Sequence, residues 1–393
     1  MDWARLWALD RDVAFLNHGS YGACPLAVLD AQQRLRERLE RQPVGFLGRE
    51  LERLLDAARA ELAALVGADA RDLAFVPNAT AGTNAVLRSL RFEPGDELLT
   101  TDHAYNACRN AIEFAAGRAG ARVVVAPVPF PIDGPDRVVE AVLQHVTPRT
   151  RLAVLDHVTS PTGLIFPIAR LVAELAGRGV DTLVDGAHAP GMLPLDVRAI
   201  GAAYYTGTCH KWLCAPKGAA FLYVRRDAQP AIRPLAISHG ANSPRTDRPR
   251  FHLEFDWTGT DDPTPYLCVP EAVRFMGSLL PGGWPALMAR NRTVALDARA
   301  TLCETLGAPL PCPDAMIGSL AALPLPDGSS VPPVPRAGRD PLQAALLERF
   351  SIEVPIMAWP RPPRRLIRIS AQLYNSAADY QRLARALAEL LGS

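Results

Sequence analysis

Lysine is almost absent from this chain, and one of its two lysines lies in a turn suited to amine chemistry. The sequence has 42 lysines and arginines, of which only Lys211 and Lys217 are lysines. A deprotonated lysine amine can form a Schiff base with an aldehyde, whereas a guanidinium stays protonated. Lys211 lies in the polar segment 206–212 (TGTCHKW). It is interpreted as a reactive amine, with chance survival in an arginine-rich sequence as the alternative.

An aspartate follows a nearby apolar strand pattern and supplies a possible partner for the amine. The apolar run 181–184 is followed by Asp185 and then by a turn glycine. Ligands of open α/β sheets bind beyond the carboxyl ends of the strands. We therefore expect Asp185 and Lys211 to face one cleft, although a solvated strand end or a helix cap would also explain Asp185. Lys217 is the alternative amine, but its position before an apolar run is typical of the start of a strand.

These groups match what pyridoxal 5′-phosphate (PLP) catalysis requires of a protein. An amine holds the cofactor aldehyde as an imine, an anion keeps the pyridine nitrogen protonated, and hydroxyls and amides hold the phosphate. Lys211 and Asp185 can supply the first two. Segment 78–83 (NATAGT) supplies a turn of small residues where a helix pattern begins, which is a favourable position for a phosphate. The sequence predicts PLP as the cofactor and no metal site.

The surrounding pattern predicts an α/β fold with a mostly parallel sheet flanked by helices. Between residues 50 and 225, helical patterns alternate with short apolar runs. The apolar runs lie at 72–76, 97–101, 122–126, 151–156, 181–184, 204–207 and 219–224. The helical patterns lie at 49–66, 83–91, 106–119, 135–144 and 168–177.

The pattern changes after residue 265 and indicates a second, smaller α+β domain. Helices are predicted at 269–280, 284–305, 341–350 and 377–391, with an apolar run at 317–323 and a surface loop at 326–338. We predict three units: an N-terminal arm over the active site, a large PLP-binding domain and a small C-terminal domain, at 1–25, 26–265 and 266–393.

Composition excludes several other classes of protein. The formal net charge is +1 with interspersed signs, so neither a nucleic-acid surface nor a membrane-binding tail is indicated. The start of the chain lacks the pattern of a signal peptide, and a cytoplasmic protein is predicted. Seven cysteines without CxxC spacing argue against a disulfide framework and against a zinc cluster.

Several segments together resemble the class V aminotransferase group of fold-type I PLP enzymes, and within it the isopenicillin N epimerase-like branch. The resemblance covers nearly the whole chain, and the DGAH segment with the later HKW segment is its most specific element. The segments, in the family's order and approximate spacing, are 15–22 (FLNHGSYG), 78–80 (NAT), 185–188 (DGAH), 209–212 (CHKW) and 368–370 (RIS) with Tyr374 and Asn375.

The resemblance implies a phosphate site made by residues from distant parts of the chain. Ala79 and Thr80 match the family's phosphate-binding turn, and Thr208 and His210 match the phosphate ligands just before the lysine. Thr260 resembles a residue that reaches the phosphate of a neighbouring subunit. The resemblance thus implies a homodimer with composite active sites.

The resemblance also implies contacts to the cofactor ring. His188 is expected to contact the 3′-oxygen and to join Lys211 and Asp185 as a catalytic residue. Ser160 stands where relatives often have asparagine for the same region. Tyr105 is expected to stack on the pyridine face, with His103 as the competing choice.

A substrate carboxylate is expected at Arg368, because this position resembles the family's carboxylate-binding arginine and a guanidinium can pair with both oxygens. Arg361, Arg364 and Arg365 lie nearby and are the alternative arginines. Further substrate contacts are expected from the N-terminal arm and from one later histidine, namely Asn17, His18, Tyr21 and His239.

Removal of the substrate α-proton by Lys211 precedes several reactions, which these motifs do not distinguish. The resemblance disfavours a cysteine desulfurase, because 351–365 contains no cysteine to carry a persulfide. We predict a PLP-dependent enzyme that acts through an α-carbanion, with a quinonoid form, on an amino acid or amino-acid conjugate. A carbon–sulfur β-lyase is favoured. An epimerase, an aminotransferase and a non-catalytic PLP-binding protein are the alternatives.

Overall fold

The computed structural model describes residues 2–328 and 340–392. Twelve strands occur in these ranges: β1 (Ala14–Phe15), β2 (Leu73–Val76), β3 (Glu97–Thr101), β4 (Arg122–Ala126), β5 (Thr150–Asp156), β6 (Asp181–Asp185), β7 (Tyr204–Thr208), β8 (Ala220–Val224), β9 (Leu320–Leu325), β10 (Ile352–Glu353), β11 (Ile356–Ala358) and β12 (Arg365–Ser370).

Fifteen α-helical segments occur in the same ranges: α1 (His18–Tyr21), α2 (Leu26–Arg41), α3 (Pro43–Gly45), α4 (Leu51–Val66), α5 (Ala79–Ser89), α6 (Asn106–Ala119), α7 (Pro135–Leu143), α8 (Ile168–Ala176), α9 (Val197–Ile200), α10 (Arg250–Phe255), α11 (Thr264–Leu267), α12 (Val269–Ser278), α13 (Gly283–Thr305), α14 (Pro341–Phe350) and α15 (Ala377–Leu391). One π-helical turn lies at Phe46–Glu50. Short 3₁₀ turns lie at Trp3–Leu6, Ala70–Asp72, Gln229–Ala231, His239–Asn242 and Asp314–Met316.

A seven-stranded sheet forms the centre of the fold. Its order is β2-β8-β7-β6-β5-β3-β4, and β8 runs antiparallel to both of its neighbours while the other pairs are parallel. Alternate residues of a strand face opposite sides: Leu152 and Val154 pack in one core with α5 and α6, and Ala153 and Leu155 pack in the other. The strands are therefore apolar on both faces, as expected for a sheet covered by helices. The predicted fold class is confirmed.

The smaller sheet is antiparallel, in the order β11-β12-β9, and α13 packs on it. The N-terminal arm joins this part of the molecule, because β1 pairs in parallel with β10 and the Ser370 amide donates to the Leu16 carbonyl. The three-unit division of the chain stays a prediction. Most of the predicted loop at 326–338 lies outside the described residues.

Helix α5 begins at Ala79, four residues before the predicted start at residue 83, because the Asn78 side chain caps it by accepting from the Ala81 amide. The whole NAT segment thus belongs to the beginning of a helix. The sequence prediction did not include α2. Across 2–328 and 340–392, none of the helices combines the length and apolar character that crossing a bilayer needs.

Candidate active site

The predicted lysine and aspartate lie at one edge of the large sheet. Asp185 ends β6, and β7 beside it ends at Thr208, three residues before Lys211. These two strands are parallel, so their carboxyl ends meet on the same side, where ligands of open α/β sheets bind. The structure therefore brings together residues that are separated in the sequence.

Lys211 is half-buried, and its Nζ lies 3.1 Å from Nε2 of His188. Burial, with a smaller effect of the Arg368 guanidinium, lowers the pKa of Lys211 to about 8. The alternative amine differs in environment: Lys217 is exposed and donates to the Gly22 carbonyl over 3.2 Å. Lys211 is thus the amine that can lose its proton near neutral pH.

Asp185 is buried, and each of its carboxylate oxygens accepts a hydrogen bond. The Ala187 amide donates to Oδ1 over 2.9 Å, and the Cys108 thiol donates to Oδ2 over 3.0 Å. Hydrogen bonds to a carboxylate favour its ionised form. Sequence reasoning missed Cys108, because a lone cysteine in a helical pattern carries no signal of a polar contact.

A second buried carboxyl, Asp156, lies beside Asp185 and was also missed. It ends β5, and the two aspartates are partners in the parallel ladder. Within the described residues, Asp156 Oδ2 is buried without a hydrogen-bond partner. Burial and the Asp185 charge raise the pKa of Asp156 well above its usual range. Because two adjacent buried carboxyls disfavour double ionisation, a proton is favoured at Asp156, while the two donors beside Asp185 suit a carboxylate acceptor.

The start of α5 offers backbone donors toward the same edge. Helix geometry leaves first-turn amides without an intrahelical acceptor, and the Asn78 cap uses that of Ala81. The amides of Ala79 and Thr80 are thus free of helical partners. A Cβ at Gly82 would lie 2.5 Å from Thr206 Oγ1, so glycine allows this helix to approach β7 closely. The arrangement is suited to an anion.

The other predicted phosphate ligands differ in their contacts. Thr208 is buried, and its hydroxyl donates to the Ala187 carbonyl over 2.6 Å. His210 is half-buried, and its Nδ1 lies 3.1 Å from the Ala219 carbonyl. Thr260 is exposed on the segment between α10 and α11. The adjacent residues 258, 259 and 261 line an apolar cavity together with Pro77 and Ala81, at the start of α5.

The two candidates for the stacking residue have opposite surroundings. His103 is fully buried, with Nδ1 2.7 Å from Thr162 Oγ1 and Nε2 2.9 Å from the Val128 carbonyl. Tyr105 is 46% exposed at the start of α6, and its hydroxyl is close enough to Asp185 to be affected by its charge. This arrangement favours Tyr105 as the residue that faces a ligand.

Arg368 is a buried cation without a carboxylate partner in the part of the chain that the structure describes. Its side chain donates to the Ser160 carbonyl (2.5 Å) and Oγ (3.2 Å) and to Ser20 Oγ (3.0 Å). Its Nε has no partner among the described residues. Burial lowers the pKa of Arg368 to about 10. A buried guanidinium without a carboxylate partner is stabilised by an incoming anion, which suits a substrate carboxylate.

The remaining predicted site residues fall into two groups. One group contacts other protein groups, and the other is exposed. Ser160 contacts Arg368, and Asn17 donates to Glu353 over 3.2 Å. His18 is fully buried, with Nε2 2.9 Å from the Lys211 carbonyl and Nδ1 2.7 Å from the Tyr374 hydroxyl. These three side chains thus position other groups. Two other predicted contacts are exposed side chains, Tyr21 and His239.

The side chains and amides at this edge fit PLP. A half-buried amine of lowered pKa, a carboxylate that accepts from two donors, and free helix amides match the aldehyde, the pyridine nitrogen and the phosphate. The guanidinium of Arg368 lacks a carboxylate partner among the described residues, which leaves it for a substrate carboxylate.

The chain is similar to known proteins both in sequence and in fold. Residues 22–248 match the family described as Aminotransferase class-V. The chain is 36% identical to isopenicillin N epimerase of Streptomyces clavuligerus, covering 98% of this chain and 96% of the relative. It is 30% identical to L-cysteine desulfhydrase of Arabidopsis thaliana, covering 96% and 88%. A solved C-DES variant with glycine covalently linked to its PLP cofactor has a TM-score of 0.78 at 23% identity, covering 96% and 97%.

Proposed function

The chain belongs to the aminotransferase class-V family of PLP enzymes, in the isopenicillin N epimerase-like branch, and we propose that it cleaves a carbon–sulfur bond of an amino-acid conjugate by β-elimination. Relatives named as cysteine desulfhydrases support this class of reaction. Elimination would release the thiol and an aminoacrylate, which water then hydrolyses to ammonia and a keto acid.

The residues at the sheet edge have distinct tasks in this proposal. PLP, when bound, supplies the electron sink for charge at the substrate α-carbon. Arg368 binds the α-carboxylate through its unpaired guanidinium, and Asp185 supplies the anion for the pyridine nitrogen. Lys211 Nζ takes the α-proton as a neutral amine, which its pKa of about 8 allows at neutral pH.

The observation that carries the lyase assignment is that Lys211, with Nζ 3.1 Å from His188 Nε2, is the one amine among the described residues at this edge. β-Elimination needs one base, whereas epimerisation needs a second acid or base on the opposite face of the substrate. His103 is occupied at both ring nitrogens by Thr162 and Val128. A one-base reaction therefore agrees best with these contacts.

Epimerisation is the second candidate, and Tyr105 is the observation that favours it. Its side chain is partly exposed near Asp185, and burial raises the pKa of the phenol, so it keeps its proton at neutral pH and could serve as a proton donor. The identity to isopenicillin N epimerase supports the same reaction. Tyr105→Phe separates the two functions, because it removes this proton donor and leaves Lys211 intact.

The deciding experiment follows products of the holoenzyme in deuterated water with S-substituted cysteines and with peptide-like amino acids. Pyruvate and a released thiol in equal amounts, retained in Tyr105→Phe, support the lyase. Inversion with deuterium at the α-carbon, without keto acid and lost in Tyr105→Phe, refutes it in favour of the epimerase. Accumulation of pyridoxamine phosphate indicates transamination, and no turnover of any substrate contradicts all three.

We also propose a cytoplasmic homodimer in which Thr260 of one subunit reaches the phosphate site of the other. The exposure of Thr260 leaves it accessible to a second subunit, which supports this arrangement. Light scattering of the purified protein would give twice the chain mass of 42.5 kDa. A monomer with full activity would contradict composite sites.

A further inference from the structure

The indole of Trp212 controls which ring nitrogen of His188 can carry a hydrogen. Trp212 is fully buried, and its Nε1–H donates to His188 Nδ1 over 3.3 Å. An indole nitrogen donates and never accepts, so Nδ1 must be the unprotonated nitrogen. The other ring nitrogen, Nε2, then carries the hydrogen and lies 3.1 Å from Lys211 Nζ.

We propose that Trp212 is a positioning residue that fixes His188 as the Nε2–H tautomer, so that the Lys211 amine faces a hydrogen-bond donor. The assignment rests on Lys211 being the reactive amine, as in the proposed function. It applies equally to elimination and epimerisation, because both begin with the same amine.

A donor in this position favours the neutral form of Lys211. An ammonium group has three N–H donors and no acceptor, whereas a neutral amine has a lone pair that accepts from Nε2–H. A doubly protonated His188 is disfavoured, because burial and the Lys211 charge lower its pKa well below 6.5. The hydrogen bond from Trp212 thus places the ring hydrogen of His188 on Nε2, and a hydrogen in this position favours the neutral form of the Lys211 amine.

Other groups around Lys211 act on its pKa as well. Burial is the largest cause of its lowering, and the Arg368 guanidinium acts in the same direction. The acidic groups that act to raise it are Asp185, Cys108 and Asp156. The charged or titratable groups that act on His188 are Lys211, Arg368, His18 and His210.

The indole of Trp212 is packed tightly enough to keep its N–H pointing toward His188. It packs in a buried apolar cluster with Val158, Met192 and Leu320. Gly191 has φ +83°, and a Cβ at this position would lie 2.6 Å from the Trp212 carbonyl carbon. A glycine is therefore needed for the close approach of this turn to Trp212. These contacts fix the side chain from several directions.

The test is ¹⁵N NMR of histidine-labelled apoprotein, which has only eight histidines. His188→Asn identifies the His188 signals. We expect a protonated Nε2 and an unprotonated Nδ1 in the wild type, and a mixture of tautomers in Trp212→Phe, which keeps an aromatic ring but lacks the donor. Trp284→Phe is the matched control, because its indole donates to the Val273 carbonyl.

A second readout is the pH at which PLP attachment, followed by its visible absorption band, is half-maximal. Loss of one directed hydrogen bond should raise this pH by about half a unit to one unit in Trp212→Phe and leave it unchanged in Trp284→Phe. A protonated Nδ1 in the wild type overturns the proposal even if the variant does not fold. Unchanged His188 signals in folded Trp212→Phe also overturn it. The NMR result is independent of which reaction the enzyme catalyses.

Discussion

Replacing Arg368 by methionine should leave the stability of the substrate-free protein nearly unchanged and severely weaken catalysis. Burial lowers the pKa of Arg368 from 12.5 to about 10. This difference corresponds to a free-energy cost of roughly 3 kcal/mol for burying the cation. Its three hydrogen bonds, two to Ser160 and one to Ser20, offset about 1 kcal/mol each. The net change in stability for Arg368→Met is therefore close to zero, and the thermal midpoint should move by less than about 2 °C.

The same change removes the partner of the substrate carboxylate. Loss of a desolvated charge pair costs about 3 to 4 kcal/mol, so kcat/KM should fall by about 10²- to 10³-fold. Thermal unfolding and steady-state kinetics are measured on Arg368→Met and on Arg364→Met, whose arginine is exposed. The control should change neither quantity. A lower thermal midpoint together with an unchanged kcat/KM would show that Arg368 has a structural role only.

Three further predictions concern the cofactor. Asp156→Asn should change kcat less than about threefold, because an amide resembles the protonated carboxyl. Asp185→Asn should lower kcat by about 10²-fold or more. Equal losses in the two variants would contradict the proton assignment. The rate of PLP attachment to the apoenzyme should increase as the pH rises toward about 8 and level off above it, since Lys211 is deprotonated there. A rate that still rises tenfold per pH unit beyond pH 9 would exclude a lowered pKa of Lys211. Thr80→Ala should weaken PLP binding by about 10- to 100-fold in equilibrium dialysis, through loss of a hydrogen bond to a charged phosphate, and an unchanged affinity would remove Thr80 from the phosphate site.

The positions of Asp185 and Lys211 could be predicted because each follows a strand, and the parallel order of the strands brings their ends to one edge. Asp156 has the same signal, as the last residue of an apolar run, and could have been found by treating every strand-end aspartate alike. Asp156 becomes recognisable as part of the site only through its pairing with Asp185. This pairing requires that β5 lies beside β6. Sequence patterns locate strands but do not give their order.

Contacts between distant segments could not be predicted from local patterns. His18 contacts the carbonyl of Lys211, which is 193 residues away in the sequence. The burial of His18 follows from the pairing of β1 with β10. Strands of only two residues have no recognisable sequence pattern, so this pairing could not be predicted. Cys108 points to Asp185 because α6 packs over the sheet edge, and the indole of Trp212 reaches His188 through the turn after β7. Side-chain direction in turns depends on packing, and spacing alone does not determine it.

The central claim is that Lys211 is the amine that binds PLP, and the most direct test is to locate the attached cofactor. Borohydride reduction of the holoenzyme makes the lysine–PLP bond permanent, and mass spectrometry of a digest then finds the modified peptide. Because the chain has only two lysines, the answer is unambiguous. We predict the added mass on Lys211, with no label in Lys211→Ala and full label in Lys217→Ala. Label on Lys217, or label that persists in Lys211→Ala, would contradict the account.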